Sequence, residues 1–303
     1  MKKIDLHIHT VQSISDHPFE FSIDLLESYV TNREIDCIAI TNHNLFDKEQ
    51  FDSIKDKLNI VVYPGIEIDL ESGHLLMIFP YERINDLVIA NDKLESIIIS
   101  EKDSLTLEQF KKIFPDTKDC LMIPHYKKKP ILKEEIIEEF GNEITAGEVK
   151  GTRDFTMLKK DIHDKLVPVL FSDTRLDEEE FSVRQTYIDT EELELNDIKM
   201  CLKDKNKVSL NKAKNDKMFE VLPNGFMAST GLNVILGERS SGKSNTLNKI
   251  YEIHENVKYI KQFSLIEKDE TKEEKNFRNH DSNGFDYVGF KWMQRIRYDR
   301  DGV

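Results

Sequence analysis

The first two hundred residues alternate between short apolar runs and longer segments with helical spacing. Residues 22–31 and 47–58 carry apolar side chains three or four positions apart, which predicts amphipathic helices. Seven segments predict strands: 3–10, 37–41, 60–63, 74–79, 120–123, 144–149 and 167–171. Strands that alternate with helices in this way predict a parallel sheet with crossover helices. Because most of the strands are continuously apolar, we expect both faces of the sheet to be covered.

The first strand contains two polar positions, His7 and His9, which alternate with Leu6 and Ile8. Side chains two apart on a strand point to the same face. The two imidazoles would therefore converge on one point, a geometry suited to a metal ion. Two histidines alone are weak evidence for such a site, so the prediction depends on other ligands reaching the same place.

Further candidate ligands stand where other predicted strands end, or where one begins beside those ends. They are His43, Glu67, His74, His125 and Asp173. In a barrel of parallel strands the carboxyl ends form one rim, where functional groups gather. Nitrogen and oxygen donors without a thiolate suit Zn, Mn or Fe. The sequence therefore predicts a metal site at this rim.

Composition narrows the class of protein without naming a function. Hydrophobic residues make up 39% and charged residues 33%, as in globular proteins. The net charge of −14 opposes non-specific attraction to nucleic acid or to an anionic membrane. The three cysteines are far apart and suit a reducing compartment. With no apolar run of membrane-spanning length and no signal-type segment, we expect a cytoplasmic protein without a membrane partner.

The ordered motifs resemble those of the PHP (polymerase and histidinol phosphatase) metallophosphoesterases over about residues 1–200. The motifs are His7-Ile8-His9-Thr10, Ser15-Asp16, Ile40-Thr41-Asn42-His43-Asn44, Pro64-Gly65-Ile66-Glu67, His74, His125 and Ser172-Asp173. The resemblance implies an α/β fold, a distorted (β/α)7 barrel that holds two or three divalent metal ions. We therefore expect a metal-dependent phosphoric ester hydrolase.

The resemblance also implies three sets of ligands and a catalytic group. His7, His9, Glu67 and Asp173 would hold one metal, Asp16 and His43 would contribute to a second, and Glu67, His74 and His125 would hold a third, with Glu67 bridging. Asp173 and Glu67 are predicted to be catalytic, and Arg175, a departure from the family, is predicted as a third catalytic residue because its planar fork suits a phosphate. The family usually has a histidine where this chain has Arg175. Either Arg175 holds a substrate phosphate, or it is a surface residue and one metal is absent.

A second motif follows a change of pattern near residue 205. Gly231–Leu236 predicts a strand, Gly237–Ser244 is the full G-x-x-x-x-G-K-[ST] P-loop, and a helix is predicted from Asn245 to Ile253. The predicted nucleotide-binding residues are Gly237, Ser241, Gly242, Lys243, Ser244 and Asn245. Lys243 would reach the β- and γ-phosphates of ATP, and Ser244 would bind its Mg²⁺. We expect domains at 1–205 and 206–303.

The second domain is expected to be the N-terminal part of a P-loop NTPase domain. A weak second strand is predicted at 258–262, but no later apolar strand ends in acidic residues. Either the chain is a truncated product, or self-association or a partner chain supplies the remainder. The order of the two motifs resembles the TrlF-like PHP–ATPase fusion proteins of bacteria.

Three functions remain open at this stage. The first is a metal-dependent phosphoesterase acting on nucleic acid phosphodiesters and controlled by an ATP-binding module. The second is a small-molecule phosphatase of the histidinol-phosphate type. The third is a catalytically degraded barrel with a binding or regulatory role. Lys127–Lys129 would be either a basic edge for a phosphate backbone or a solvated lysine run.

Overall fold

The computed structural model describes residues 1–176, 182–214, 218–222, 226–229, 231–254 and 257–260. The strands are β1 Lys2–Ile8, β2 Cys37–Ile40, β3 Val61–Leu70, β4 Gly73–Ile78, β5 Leu121–Lys127, β6 Ala146–Val149, β7 Val167–Val169, β8 Thr186–Ile188, β9 Val208–Ser209, β10 Met218–Leu222 and β11 Phe226–Ser229. The α-helices are α1 Ile23–Asn32, α2 Lys48–Lys57, α3 Ile84–Glu95, α4 Leu107–Ile113, α5 Glu134–Glu139, α6 Thr152–Lys160, α7 Leu195–Cys201 and α8 Lys243–Ile253. The predicted strands and helices of the first two hundred residues are therefore present with shifted ends.

The main sheet closes into a nearly complete barrel. Its strand order is β7-β6-β5-β4-β3-β2-β1-β8-β9. Beyond β7 the chain returns beside β1: the amide of Asp173 donates to the carbonyl of His7 at 3.0 Å, and His9 donates to Thr174 at 2.9 Å. This return places Asp173 next to the β1 histidines. The prediction of an α/β barrel-like fold is confirmed at this level.

One of the seven predicted strands runs against the expected parallel direction. β4 is antiparallel to both β3 and β5, whereas β1, β2 and β3 are parallel and β5, β6 and β7 are parallel. Leu70 pairs with Gly73, so only two residues connect β3 to β4. A connection this short can join only antiparallel strands, because a parallel crossover needs a dozen residues or more. The tight turn therefore brings His74 back to the rim where β3 carries Glu67.

Helices cover the sheet through two apolar clusters. Ser22 accepts a hydrogen bond from the Leu25 amide and caps α1, and Asp47 caps α2 in the same way. Buried residues of α1, α2, α3 and α4 pack in one cluster with β2 and β3, while α6 and α7 pack in the other with β6 and β7. Large side chains such as Tyr29, Phe51 and Phe155 are fully buried. No helix of the described ranges is long and apolar enough to cross a bilayer.

The C-terminal part differs from its prediction in one element. The strand predicted over Gly231–Leu236 is wrong, because this segment pairs with no strand in the described part of the chain. Its apolar side chains stay exposed: Leu232 by 76%, Val234 by 66% and Leu236 by 85%. The helix after the P-loop is present as α8 and begins at Lys243, earlier than predicted.

The weak strand predicted at 258–262 is also not formed over its described residues, 258–260, while 261 and 262 lie outside them. Four strands were not predicted. β8 and β9 extend the main sheet beside β1, and β10 and β11 form a hairpin on which α8 packs. β9 at Val208–Ser209 lies just past the predicted domain boundary at residue 205, which stays a prediction.

Candidate metal centre

The eight predicted metal ligands come from β1, β3, β4 and β5 and from the loops that follow β1, β2 and β7, and the fold brings them together. Together with Asp69 and Glu148, the eight predicted ligands form five overlapping groups, and within each group the donor atoms lie within 4.8 Å of one another. The groups are His7–His9–Glu67–Asp173, His7–His125–Glu148, His9–Asp16–His43, His43–Asp69–His74 and Glu67–His74–His125. Tertiary structure thus brings together all three ligand sets that the resemblance implied. Their binding of metal stays a prediction.

The Glu67 carboxylate lies inside a ring of five imidazoles. Neighbouring ring centroids in the order His7, His9, His43, His74, His125 and back to His7 are 4.7–5.5 Å apart. Oε2 of Glu67 lies 2.9 Å from Nε2 of His7, 3.3 Å from Nε2 of His9 and 3.2 Å from Nε2 of His43. Oε1 lies 2.7 Å from Nδ1 of His74 and 3.2 Å from Nε2 of His125. The two oxygens therefore face different sets of donors.

The spacing of the first group suits one ion. Nε2 of His7 and Nε2 of His9 are 3.1 Å apart, and each lies within 3.4 Å of Oδ1 of Asp173. Donors that surround a tetrahedral ion at the usual bond length are roughly 3.3–3.5 Å apart. Nδ1 of His9 and Nδ1 of His125 are buried with no hydrogen-bond partner among the described residues, while Nε2 of each ring faces carboxylate oxygens. Buried imidazoles that face carboxylates in this way are the donor set that Zn, Mn or Fe would use.

Opposite charges at the rim outweigh the cost of burial. Burial raises the pKa of Glu67, but His7 and His43 hold it well below its ordinary value. Burial lowers the pKa of His7, but Glu67 and Asp173 raise it to about 10. In the same way, Asp69 and Glu67 raise the pKa of His74 to about 9 against its burial. The carboxylates thus stay ionised and attract positive charge, which can come from protons or from metal ions.

Arg175 is not an ordinary surface residue. Its Nη2 lies 2.8 Å from Oδ1 of Asp16, and its Nη1 lies 3.1 Å from Oδ1 of Asp173. The guanidinium therefore bridges two predicted ligands, beside the group that contains His9, Asp16 and His43. A planar cation at this place competes with a metal ion for Asp16. Whether it also holds a substrate phosphate stays a prediction.

Three residues of this site were not predicted as ligands. Asp69 lies 2.9 Å from Nε2 of His74, Glu148 lies 2.9 Å from Nδ1 of His7, and Nζ of Lys128 lies 2.7 Å from Glu148. Asp69 follows Glu67 by two positions on β3, so the strand period could have identified it. Glu148 is a charged residue inside an apolar strand, which is also a usable signal. Lys128 sits in a lysine run and carries no such signal.

The P-loop residues form a compact turn before α8. Nζ of Lys243 lies 2.7 Å from the carbonyl oxygen of Gly237 and contacts the Glu238 carbonyl. Gly242 has φ +87°, in the left-handed region that favours glycine. A Cβ on Gly237 would lie 2.4 Å from Oγ of Ser241, a contact that rotation of the Ser241 side chain can relieve. Ser244 and Asn245 lie in the first turn of α8.

Comparison with known proteins finds solved structures of similar fold but no matching family. No protein-family model matches the chain, and no curated protein matches it. A two-domain protein from Bacteroides vulgatus ATCC 8482, containing a predicted PHP-like metal-dependent phosphoesterase, has a similar structure with a TM-score of 0.47 and 16% identity, covering 68% of this chain and 63% of that one. The chain thus spans less than two thirds of that protein. A candidate metal-dependent phosphoesterase from Bifidobacterium adolescentis ATCC 15703 has a TM-score of 0.38 and 12% identity, covering 57% of this chain and 87% of that one.

Identities and TM-scores this low do not by themselves indicate the family or the activity of this chain. Neither protein's name mentions a nucleotide-binding segment, so the comparison does not test the function of residues 237–244. The chemistry of the rim therefore rests on the residues that the barrel brings together.

Proposed function

We propose that the chain is a metal-dependent phosphoester hydrolase. One observation carries the proposal: the two oxygens of Glu67 face different histidine sets, with His7 and His9 at Oε2 and His74 and His125 at Oε1. A carboxylate shared in this way is suited to bridge two divalent ions. Two-metal sites are typical of enzymes that hydrolyse phosphate esters.

Each residue has a distinct part in this proposal. His7, His9 and Asp173 would hold one ion, and His74 and His125 would hold another, with Glu67 shared between them. Divalent ions at such a site lower the pKa of bound water and polarise a phosphoryl oxygen. Arg175 lies at the edge of the site with 29% of its side chain exposed, where it could contact an anionic substrate.

Hydrolysis of a generic phosphodiester with added Mn²⁺ or Zn²⁺ tests the proposal. H9A and D173N should each lower the turnover by at least about 100-fold, because each variant loses a donor for the ion that would lie at Oε2 of Glu67. H163A is the matched control, since His163 is exposed and lies in none of the five groups. Turnover that survives H9A and D173N would contradict the proposal.

We propose nucleic acid phosphodiesters as the substrate, with a small-molecule phosphate monoester as the alternative. The support comes from the sequence: the order of motifs at the rim and the P-loop that follows. Of the lysine run, Lys127 and Lys129 are exposed while Lys128 is turned inward, so at most two of the three ammonium groups face a substrate from solvent. A ratio of diester to monoester turnover above one supports nucleic acid, and a ratio well below one supports the alternative.

A barrel without catalysis is the remaining alternative. In that case the rim would bind no metal and the chain would have a binding or regulatory role. Elemental analysis of the purified protein separates the two, because two equivalents of metal per chain exclude a degraded site.

We also propose that residues 237–244 bind the phosphates of ATP with Mg²⁺, as a module that controls the barrel. The motif, the start of α8 at Lys243 and the left-handed backbone of Gly242 support this proposal. Equilibrium dialysis with labelled ATP should give binding that K243A abolishes. K249M, on the exposed surface of α8, is the control. Equal binding by K243A would contradict the proposal.

We further propose that self-association or a partner chain covers the segment before the P-loop. The exposure of Leu232, Val234 and Leu236 supports this, because three apolar side chains alternate along one extended segment. Sedimentation should then detect a dimer or a complex that V234D weakens. A chain that stays monomeric with and without ATP would contradict self-association.

A further inference from the structure

The ammonium group of Lys128 lies inside the rim. Its Nζ is 2.7 Å from Oε1 of Glu148, 2.9 Å from Oδ2 of Asp173 and 3.1 Å from Nδ1 of His7. Only 11% of the side chain is exposed. An ammonium only donates, so its hydrogens go to the two carboxylates, while Nδ1 of His7 donates to Glu148. Lys128 therefore directs its charge at two carboxylates of the centre rather than at solvent.

The neighbouring donors form a group that could itself hold an ion. His7, His125 and Glu148 all have donor atoms within 4.8 Å of one another. Oε2 of Glu148 lies 2.9 Å from Nδ1 of His7 and 3.2 Å from Nε2 of His125. Since Lys128 contacts both Glu148 and His7, its ammonium lies beside the place where such an ion would sit. Two cations this close repel each other strongly in a buried site.

The surrounding charge explains why a cation is needed there. Glu148 and Glu67 are almost completely buried, and Asp173 is directed at the same histidines. Ionised carboxylates gathered in one buried site destabilise the fold unless positive charge is near. Metal ions could supply that charge, whereas a metal-free chain depends on protons at the histidines and on Lys128. Lys128 is bound covalently to the chain and is always present.

We propose that Lys128 is a built-in cation of the centre. Its ammonium holds Glu148 and Asp173 in place before metal arrives, and it keeps a further metal ion out of the group formed by His7, His125 and Glu148. Lys128 is thus a positioning residue that limits how many ions the rim accepts. The inference rests on the proposed function only in that the rim must bind metal.

Metal counting tests this directly. Wild-type protein, K128M, K128Q and K128R are saturated with Mn²⁺ or Zn²⁺, freed of excess ion and analysed for metal per chain. K128M and K128Q should hold about one equivalent more than wild type, because the vacated place regains its negative charge. K128R keeps the charge and should match wild type. K127M is the control, since Lys127 is the exposed neighbour.

Thermal unfolding with and without metal gives a second readout. Without metal, K128M and K128Q should unfold at a lower temperature than wild type and K128R. Saturating metal should restore more of the melting temperature in the uncharged variants than it adds to wild type. A residue that only packs would lower the melting temperature equally in both conditions.

The outcomes separate the inference from the proposed function. Wild-type protein that holds no metal overturns both. Wild-type protein that holds metal, with no extra equivalent in K128M or K128Q, overturns the role of Lys128 and leaves the hydrolase proposal standing. If K128M and K128Q stay unfolded even in excess metal, the role of Lys128 is also overturned, because metal then fails to replace the ammonium.

Discussion

Glu148 on β6 lies 2.9 Å from Nδ1 of His7 on β1, while Nε2 of the same ring lies 2.9 Å from Glu67. An ionised carboxylate only accepts hydrogen bonds, so Nδ1 of His7 donates to Glu148. In the neutral imidazole, Nε2 then keeps its lone pair for a metal ion. A carboxylate behind a histidine in this way fixes both its tautomer and its orientation.

Replacing Glu148 with Gln should weaken metal binding. The Gln amide is a poorer acceptor and can also donate to Nδ1, which would favour the tautomer that protonates Nε2. We expect metal affinity to fall by about 10–100-fold. Competition with a chelator measures it, and E138Q at an exposed position of α5 is the control. Unchanged affinity in E148Q would show that Glu148 does not orient His7.

Gly73 stands at the start of β4, immediately before His74. A Cβ there would lie 2.3 Å from the backbone nitrogen of Leu132 and 2.5 Å from the carbonyl carbon of Ile131. Because both obstacles are backbone atoms, G73A must move the strand or the loop. We expect a loss of about 1–3 kcal/mol of unfolding free energy and weaker metal binding through His74.

The control for G73A is G151A, since a Cβ on Gly151 meets no atom within 4 Å. Denaturant unfolding of the two variants should differ clearly. Equal stability of G73A and wild type would mean that the loop at Ile131 and Leu132 moves away without cost.

Arg33 at the end of α1 pairs with Glu220 of β10, with Nη1 2.7 Å from Oε1. The Arg33 side chain is 2% exposed and that of Glu220 16%. Removing one partner of a buried pair leaves the other charge unpaired, so R33M should cost about 3–5 kcal/mol. Urea unfolding measures this loss.

An exposed pair provides the comparison for R33M. Lys111 and Glu139 lie 3.1 Å apart with about half of each side chain exposed. K111M should change the free energy of unfolding by less than about 1 kcal/mol. Similar losses in R33M and K111M would argue against a buried link between the hairpin and the barrel.

Lys3 gives stability a pH dependence. Burial and the charge of Arg33 lower its pKa from 10.5 to about 8, while its Nζ donates to the Arg33 carbonyl at 2.6 Å. Between these two pH values the unfolded chain binds more protons than the folded one, so the contribution of Lys3 to stability rises with pH. Below about pH 8 Lys3 is charged in both the folded and the unfolded chain, and the buried charge then lowers the free energy of unfolding by its full amount.

The free energy of unfolding of K3M should therefore exceed that of wild type most below about pH 8, and the difference should shrink toward pH 10.5. Urea unfolding of both proteins from pH 7 to pH 10.5 measures the difference. K102M, at an exposed position, is the control and should show a constant difference. A difference between K3M and wild type that does not change with pH would contradict the assignment.

The candidate centre could be predicted only in part. His7, His9, Glu67 and Asp173 were identified because each stands where an apolar strand ends, which is a local feature of the sequence. Lys128 could not be identified, because a lysine run is solvated in most proteins and only the fold shows that this one turns inward.

The segment around residues 237–244 shows a case in which a local prediction was only partly right. Its motif and the following helix are local, and α8 is present. The strand over Gly231–Leu236 was wrong because an apolar run becomes a strand only when a neighbouring strand pairs with it.

Apolar periodicity and the spacing of polar residues thus predicted the order of strands and helices and seven candidate ligands at one rim, and the resemblance added the barrel and Asp16. These features follow from local patterns, since each strand end presents its own side chain. Only the tertiary structure decided that β4 reverses direction and that the return of the chain beside β1 seats Asp173 against His7 and His9. It also directed Lys128 and Arg175 onto that carboxylate, because contacts between residues far apart in sequence depend on how the barrel closes.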